Sequence, residues 1–246
     1  MTDRVALVTG ASRGIGLATA RLLAARGDHV ILAARSAADL EMAVAGIGQA
    51  GGKASAWAGD LTDPDACRAM VDRARQVAGG IDICVLSAGV GHWTATVSMS
   101  VGDWRQTMAV NTDAAFYVTR AVLPSMLERA TGHLVFVSSV LGRKGAANMA
   151  AYAASKAAVA ACAESVAAEV KPLGIKVTVV SPGTTATSMR DHQVNRPQTP
   201  DITEAELQLA PEDVADAIAW ATSVSDRAYP TAVTIEPRGS AGPPRR

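Results

Sequence analysis

The chain has 246 residues, of which 49% are hydrophobic, and its 23 Lys and Arg balance its 23 Asp and Glu, so the formal net charge is zero. A balanced charge provides no basic surface for nucleic acid or for an anionic membrane. The three cysteines and four histidines form no metal-ligand pattern, and no apolar run approaches the roughly 18 residues of a membrane span. We therefore expect a soluble, cytoplasmic protein with reduced thiols, no metal site, no nucleic-acid or membrane partner, and a small-molecule substrate.

Short apolar runs alternate with longer helical stretches along the chain. The first run, residues 5–8, ends at a glycine-rich turn, and a helix is predicted from about 15 to 26. Uninterrupted apolar runs of this length are typical of strands buried on both faces of a parallel sheet. Further strands are predicted at 29–33, 53–58, 81–86, 132–138, 174–180 and 231–236, and further helices at 38–50, 62–78, 101–129, 152–171 and 211–223.

Three stretches break this regular pattern. Asn111 and Thr112 have poor helix propensity, so we expect an irregularity inside the helix at 101–129. Residues 184–203 are polar and aperiodic, which is typical of a functional lid or a disordered segment, and we interpret them as a substrate loop. Residues 239–246 are predicted to be a frayed tail. Since no linker divides the chain, we predict one domain over residues 1–246.

The alternation of strands and helices predicts an α/β fold. A doubly wound, Rossmann-type parallel sheet of about seven strands, with helices on both faces and right-handed crossovers, fits this order. Ligands of such sheets bind beyond the carboxyl ends of the strands. The polar and glycine-rich positions follow strands in this way: Gly10 the first, Arg35 the second, Asp60 the third, Ser87–Gly89 the fourth, Ser139 the fifth and Pro182–Gly183 the sixth.

The turn after the first strand carries Gly10, Gly14 and Gly16 at the start of a helix. Glycines at a strand-to-helix junction let the main chain approach a pyrophosphate, whose charge is stabilised by the free N–H groups of the helix N-terminus. The spacing is wider at its front than the dinucleotide fingerprint G-x-G-x-x-G. On this loop alone, a glycine-rich turn without a ligand stays open as an alternative.

Arg35 follows the second strand, where an acidic residue would bind the adenosine ribose of NAD. An arginine at this place accommodates the 2′-phosphate of NADP instead. Arg13, inside the glycine loop, could supply a second positive charge to the same phosphate. The two arginines favour NADP(H) over NAD, although each could be an ordinary solvated charge.

Tyr152 and Lys156 lie four residues apart on one predicted helix, so both project from the same face. A free tyrosine has a pKa of about 10, and a nearby ammonium favours the phenolate and lowers that pKa. Such a pair could exchange protons with a substrate near neutral pH. A strand end followed by an ordinary helix start is the alternative for these residues.

Taken together, the motifs resemble those of the short-chain dehydrogenase/reductase family in its single-domain form. The resemblance covers residues 4–187 in motifs and the whole chain in the order of its elements. It implies an NADP(H)-dependent oxidoreductase that interconverts a ketone and a secondary alcohol. The motifs that carry it are Thr9-Gly-Ala-Ser-Arg-Gly-Ile-Gly16, Asp60-Leu61, Asn111, Ser139, Tyr152-Ala-Ala-Ser-Lys156 and Pro182-Gly183 with Thr187.

The resemblance also implies a role for individual residues. Ser139 is expected to hydrogen-bond the substrate carbonyl and Tyr152 to give or take its proton. Lys156 is expected to lower the Tyr152 pKa and hold the nicotinamide ribose, while Asn111 anchors a water in a proton relay. The expected cofactor-binding residues are Gly10, Ser12, Arg13, Gly14, Ile15, Gly16, Arg35, Asp60, Leu61, Ala88, Gly89, Tyr152, Lys156, Pro182, Gly183 and Thr187.

Two stretches depart from the family pattern. Ser87 stands where the family usually has asparagine and reaches less far, so contacts between neighbouring strands could be weaker. Residues 233–237 lack the glycine-rich ending common in family members that reduce 3-oxoacyl thioesters, which disfavours that role without excluding it.

The loops beside the expected site are predicted to choose the substrate. Trp93 offers a flat apolar wall for a cyclic or aromatic ketone, whereas His92 fits a solvated loop residue as well as a substrate contact. The expected pocket residues are His92, Trp93, Leu141, Met149 and Met189.

Other functions stay open at this point. A 3-oxoacyl thioester reductase is one alternative, and a non-catalytic NADP-binding sensor or scaffold is another, since fold alone permits it. A lyase or epimerase acting on a sugar nucleotide would need a larger region after the sixth strand. Family members commonly form homotetramers or homodimers through the helices that carry Asn111 and Tyr152, and we expect the same here.

Overall fold

The computed structural model describes residues 4–189, 208–225 and 227–238. The predicted substrate loop therefore lies outside the described residues from residue 190 to 203, and so does the predicted tail from 239 onward. Within the described residues the strands are β1 (Val5–Thr9), β2 (His29–Ala34), β3 (Lys53–Ala58), β4 (Ile83–Leu86), β5 (Gly132–Val137), β6 (Ile175–Pro182) and β7 (Ala232–Ile235).

The helices alternate with these strands. They are α1 (Gly14–Ala25), α2 (Ala37–Gln49), α3 (Pro64–Ala78), α4 (Val101–Met108), α5 (Ala114–Arg129), α6 (Ala150–Val170) and α7 (Pro211–Ala221).

All pairings between neighbouring strands are parallel, in the order β3-β2-β1-β4-β5-β6-β7. The predicted seven-stranded, doubly wound sheet is therefore confirmed. Because β1 pairs with both β2 and β4, the strand order reverses between β1 and β4. A crevice opens at such a point beyond the carboxyl ends of the strands.

Successive side chains of the strands enter two separate cores. Leu7 packs with α3, α5 and α6 on one face of the sheet, whereas Val8 packs with α1, α2 and α7 on the other. This alternation follows from the two-residue period of a strand. Burying each large side chain, such as Phe136, stabilises the fold by about 1.5–3 kcal/mol relative to leaving it exposed. The continuous apolar runs of the sequence thus supply both cores at once.

The expected irregularity near Asn111 is a π-helical turn, Ala109–Asp113, between α4 and α5. Its main-chain bond runs five residues back, from the Ala114 N–H to the Ala109 carbonyl. Such turns are rare and frequently occur at functional sites. The helix predicted as one element is therefore two helices joined by this turn.

The ends of β1 and β4 are joined through the hydroxyl of Thr9. It accepts hydrogen bonds from the Ser87 and Ala88 N–H groups at 3.0 and 3.1 Å and donates to the Val85 carbonyl at 3.3 Å. The N–H groups belong to the main chain, so this connection does not depend on the side chain at position 87. The link fixes the floor of the crevice.

Candidate active site

A cavity of about 680 Å³ lies at the carboxyl edge of the sheet. Its walls come from the segments that follow β1, β2, β3, β4, β5, β6 and β7. All sixteen residues expected to bind the cofactor line this cavity, and so do Ser139, Tyr152 and Lys156. The topology thus brings residues far apart in sequence into one space.

The glycine loop packs against the end of β4 with no room for side chains. A Cβ atom on Gly10, where φ is +66°, would lie 2.8 Å from the Ala88 Cα, and one on Gly16 would lie 2.4 Å from the Gly10 carbonyl oxygen. Both clashes are with main chain, which cannot move away cheaply. The loop is therefore a main-chain cradle at the wall of the cavity.

The N-terminus of α1 is open toward this cradle. Its N-cap residue, Arg13, makes no side-chain cap hydrogen bond, and the first turn has no acidic residue. By contrast, Ser36, Asp63 and Ser100 cap α2, α3 and α4. Uncapped N–H groups at a helix N-terminus favour an anion. These features fit the pyrophosphate of a dinucleotide.

The segments after β2 and β3 form the opposite end of the cavity. Arg35 lies there with Asp60, whose carboxylate accepts two 2.9 Å hydrogen bonds from the Thr62 N–H and hydroxyl. These bonds, with a smaller contribution from Arg35, lower the pKa of Asp60. Asp39 in the first turn of α2 also lines this end, and it adds to Asp60 a second acidic side chain that the sequence analysis had not placed there.

Lys156 is buried beneath the cavity. Its ammonium donates a 2.9 Å hydrogen bond to the Val137 carbonyl and lies 5.9 Å from the centre of the Tyr152 ring. Only 4% of the residue is exposed, and burial lowers the pKa of Lys156 to about 8. Lys156 on α6 is thus bonded to the end of β5, and its pKa is close to neutral pH.

The pKa of Tyr152 is raised in this structure, not lowered as expected. Burial of the phenol is the larger cause, and a hydrogen bond with Ser139 offsets part of it. The expected effect of Lys156 does not outweigh burial, because the ammonium is bonded to Val137 and stands off the ring. The phenol is therefore held in its protonated form.

Ser139 connects three parts of the site. Its hydroxyl accepts a 3.1 Å hydrogen bond from the Leu141 N–H, lies 3.5 Å from the Pro182 carbonyl, and hydrogen-bonds Tyr152. The serine thereby aligns the ends of β5 and β6 with the phenol on α6. A substrate oxygen between Ser139 and Tyr152 would meet two hydroxyl donors.

Asn111 lies behind the wall of the cavity, with 1% of the residue exposed. Its side-chain oxygen accepts from the Val90 N–H at 2.7 Å, and its amide nitrogen donates to the Val90 carbonyl and to the Ser155 hydroxyl, both at 2.9 Å. The Ser155 hydroxyl in turn donates to the Tyr152 carbonyl. Both side-chain N–H groups of Asn111 are thus occupied in joining the β4 loop to α6.

Four of the five expected substrate-pocket residues line the cavity, namely Trp93, Leu141, Met149 and Met189. His92 is not among the lining residues, and a substrate contact by this residue stays a prediction. The loop that carries it is held by a 2.8 Å bond from the Thr94 N–H to the Asn148 carbonyl. This bond ties the loop that carries Trp93 to the segment before α6, where Met149 lies.

Several lining residues had not been expected from the sequence. They belong to segments whose path the strand pattern does not determine. They include Lys144, Asp39, Thr62, Val110 and Glu236. For Lys144 and Asp39, a position close in sequence to Ser139 or to Arg35 was an available signal.

Among residues 4–189, 208–225 and 227–238, no helix has the length and apolar character needed to cross a membrane. No group of three or more His, Cys, Asp or Glu side chains in that part of the chain could hold a metal ion.

Curated relatives match almost the whole chain. A 3-oxoacyl-(acyl-carrier-protein) reductase of Vibrio cholerae is 34% identical over 241 residues, which cover 97% of this chain and 97% of the relative. Glycine betaine reductase ATRR of Emericella nidulans is also 34% identical over 241 residues, or 97% of this chain. The match spans only 19% of that longer protein.

Solved structures match at similar coverage. A metagenomic short-chain oxidoreductase in complex with NADP is 32% identical with a TM-score of 0.83, over 96% of this chain and 98% of the other. A variant of actinorhodin polyketide ketoreductase with NADPH is 29% identical with a TM-score of 0.88, over 96% of each chain. The sequence profile of short chain dehydrogenases matches residues 4–198. With this profile, this sheet and these relatives, the chain belongs to the short-chain dehydrogenase family of oxidoreductases.

Proposed function

We propose that the protein is an NADP(H)-dependent oxidoreductase that interconverts a ketone and a secondary alcohol. The observation that carries this proposal is the single cavity in which Ser139, Tyr152 and Lys156 share space with the glycine cradle and with Arg35. A proton donor and a dinucleotide site are both needed for carbonyl reduction, and they must face the same substrate atom.

The cofactor would be held by the residues of the cradle and by the loop after β6. Gly10 and Gly16 leave the main chain open to the pyrophosphate, Arg13 and Arg35 bind the 2′-phosphate, and Thr187 fixes the carboxamide end. When bound, the cofactor supplies the hydride, whereas the protein supplies position and charge. The relatives solved with NADP and with NADPH support this choice of cofactor.

Tyr152 would act as the general acid in reduction. Because burial raises its pKa, the phenol is protonated at neutral pH and can donate to the developing alkoxide. Ser139 would donate a hydrogen bond to the same oxygen and hold it in place. Lys156 would stabilise the phenolate left after proton transfer, since an ammonium with a pKa of about 8 is mostly charged at pH 7.

Asn111 would be a positioning residue for this site. Its side chain joins Val90 to Ser155, and through Ser155 to the main chain at Tyr152. A relay water, as the family resemblance implies, would then have to bind the main chain of the π turn. The asparagine would act by keeping that turn and α6 in register.

The test is NADPH oxidation against a panel of cyclic ketones, β-keto esters, quinones and aldehydes, with NADH run in parallel. We expect turnover of at least one ketone, with NADPH preferred by about tenfold or more because of the arginines. Equal efficiency with NADH would contradict the roles of Arg13 and Arg35. A complete lack of turnover across the panel would contradict the oxidoreductase and leave a non-catalytic NADP-binding sensor or scaffold.

A second candidate is the reduction of 3-oxoacyl thioesters. It is favoured by the Vibrio cholerae reductase, 34% identical over nearly the full length, and by the polyketide ketoreductase structure. Including an acetoacetyl thioester in the same panel tests it. Turnover of the thioester well above that of free ketones would favour this candidate.

We also propose a homotetramer or homodimer. Trp104 on α4 and Phe116 on α5 are 40% and 47% exposed, and a symmetric partner would cover such large apolar side chains. Light scattering after size-exclusion chromatography tests this proposal, and a monomer at micromolar concentration would contradict it.

A further inference from the structure

We propose that Lys144 selects ketones that carry an anionic group several bonds from the carbonyl. This inference rests on the proposed function and narrows its substrate class. Lys144 lies between Ser139 and Tyr152 in the chain, in the loop from β5 to α6, and it lines the same cavity as both.

Four large apolar side chains line the same cavity as Lys144. Trp93, Leu141, Met149 and Met189 form the walls, so a substrate body here should be apolar. The other ionisable groups of this end, Tyr152 and Lys156, are already assigned to the reacting carbonyl. Among the residues that the structure describes, the exposed ammonium of Lys144 is therefore the charge at this end that is left for recognising a substrate.

The charge of Lys144 is not explained by a partner in the described part of the chain. Among residues 4–189, 208–225 and 227–238, no hydrogen bond or ion pair of its side chain occurs. Glu236 also lines the cavity, but it follows β7, two strands away from β5, or about 10 Å at ordinary strand spacing. A cation at the cavity wall without such a partner favours an anionic ligand.

Nor does the cofactor phosphate explain it. The 2′-phosphate would lie beside Arg35 after β2, and β5 is three strands from β2, or about 14 Å. That separation exceeds the Debye length of about 8 Å at physiological ionic strength. In the part of the chain that the structure describes, Lys144 is therefore the cation lining this cavity that neither the cofactor phosphate nor the reacting carbonyl accounts for.

Main-chain hydrogen bonds hold the turn that leads to Lys144. A 3-10 turn, Val140–Gly142, begins at Ser139, and the Gly142 and Arg143 N–H groups donate back to Ser139 and Val140 at 2.9 and 3.2 Å. A Cβ on Gly142 would lie 2.9 Å from the Lys156 carbonyl, so the turn presses directly on α6.

This turn sets the distance between the two polar contacts of the substrate. Lys144 follows Ser139 by five residues, of which Val140–Gly142 form the 3-10 turn, so their Cα atoms are less than about 17 Å apart. The flexible lysine stem shortens the gap to a bound anion. A carboxylate or phosphate a few bonds beyond the carbonyl carbon meets this geometry.

The test compares 4-oxo-4-phenylbutanoate with its methyl ester, which share an apolar body and differ in one charge. In the wild-type enzyme we expect the lower KM for the acid. Lys144→Gln should raise that KM about threefold to tenfold, leave kcat and the KM for the ester unchanged, and Lys144→Arg should restore the preference. Arg143→Gln is the matched control, because Arg143 is a neighbouring exposed cation that does not line the cavity.

A second pair identifies the anion. Acetoacetyl-pantetheine and acetoacetyl-phosphopantetheine differ only in the phosphate, and an effect of Lys144→Gln confined to the latter would assign the site to a phosphate. The inference would be overturned if Lys144→Gln changed the KM of the charged and the uncharged compound of each pair equally, or changed no KM in either pair. It would also be overturned if Arg143→Gln had the same effect as Lys144→Gln. Turnover of none of these compounds by wild-type enzyme would overturn the proposed function as well, whereas turnover with indifference to Lys144 would leave it intact.

Discussion

The two edges of the central sheet use polar side chains in opposite ways. At the amino edge, Arg4 pairs with Asp28 through two hydrogen bonds of 2.9 and 3.1 Å, and Asp82 accepts from the Val5 N–H and from Arg129. At the carboxyl edge, Arg35 and Lys144 make no hydrogen bond or ion pair with any residue that the structure describes. The first edge satisfies these charges within the protein, whereas the second has two described cations, Arg35 and Lys144, at the wall of a cavity.

This difference predicts that residues at one edge contribute mainly to stability and residues at the other mainly to ligand binding. The strands are about 3.3 Å long per residue, so a five-residue strand such as β1 keeps the two edges roughly 17 Å apart. Substitutions at the amino edge should therefore change the free energy of unfolding and leave ligand affinity alone. Substitutions at the carboxyl edge should do the reverse.

The largest effect on cofactor affinity is expected at the glycine cradle. In Gly16→Ala the new methyl would lie 2.4 Å from the Gly10 carbonyl oxygen, so the cradle must open. We expect NADPH affinity to fall by about a hundredfold or more, measured by fluorescence titration, with each tenfold worth about 1.4 kcal/mol. Gly46→Ala in α2 is the control, because no atom lies within 4 Å of the new methyl. A cradle variant with wild-type affinity would contradict the assignment of this loop.

At the amino edge, Asp82→Ala leaves the Val5 N–H and the Arg129 guanidinium without their acceptor. We expect unfolding in urea to require about 1–3 kcal/mol less, while kcat and KM stay unchanged. Asp72→Ala, which removes an exposed carboxylate from α3, is the control and should have little effect. A loss of NADPH affinity in Asp82→Ala would contradict the claim that substitutions at the amino edge leave ligand affinity unchanged.

The buried His133 of β5 makes the amino edge sensitive to acid. Its ring lies 2.8 Å from the Thr178 hydroxyl, and burial, with smaller effects of Lys176 and Arg4, lowers the pKa of His133 to about 4. Because the unfolded state has the higher pKa and binds more protons, stability is lost as pH falls through the range from about 6.5 to 4. We expect about 2 kcal/mol of loss between pH 7 and 5, and His133→Gln should remove that part of the slope. A slope unchanged in the variant would assign the acid sensitivity to other groups.

The smallest effect is expected at Asp39, the acidic residue that lines the cavity near Arg35. Its carboxylate should repel the 2′-phosphate across solvent, so Asp39→Asn should tighten NADPH binding about twofold to threefold and leave NADH binding unchanged. Glu41→Gln on the same helix is the control, since Glu41 does not line the cavity. Equal changes for both cofactors would place the 2′-phosphate elsewhere.

The parts of the molecule that depend on main-chain pattern could be predicted from the sequence. The run at β1 and the glycines after it predicted a buried strand and a tight turn, since apolar runs and glycines constrain the main chain directly. The poor helix propensity of Asn111 likewise predicted the irregularity that is a π turn.

What depends on side-chain direction and burial could not be predicted in the same way. His92 and Trp93 are neighbours in one loop, yet only Trp93 reaches the cavity. The pKa of Tyr152 shifts opposite to expectation, because burial outweighs the distant ammonium and burial is not visible in a helical spacing. Lys144 and Asp39 reach the cavity through loop and helix geometry that the strand pattern does not define.

The central claim is that the phenol of Tyr152 transfers the proton at a site shared with the cofactor. The most direct measurement is turnover and NADPH affinity of Tyr152→Phe, with Tyr117→Phe on α5 as the control. We expect kcat to fall by about a hundredfold to ten-thousandfold while the NADPH dissociation constant stays within about threefold of wild type. Turnover of Tyr152→Phe close to that of the wild-type enzyme would contradict the account.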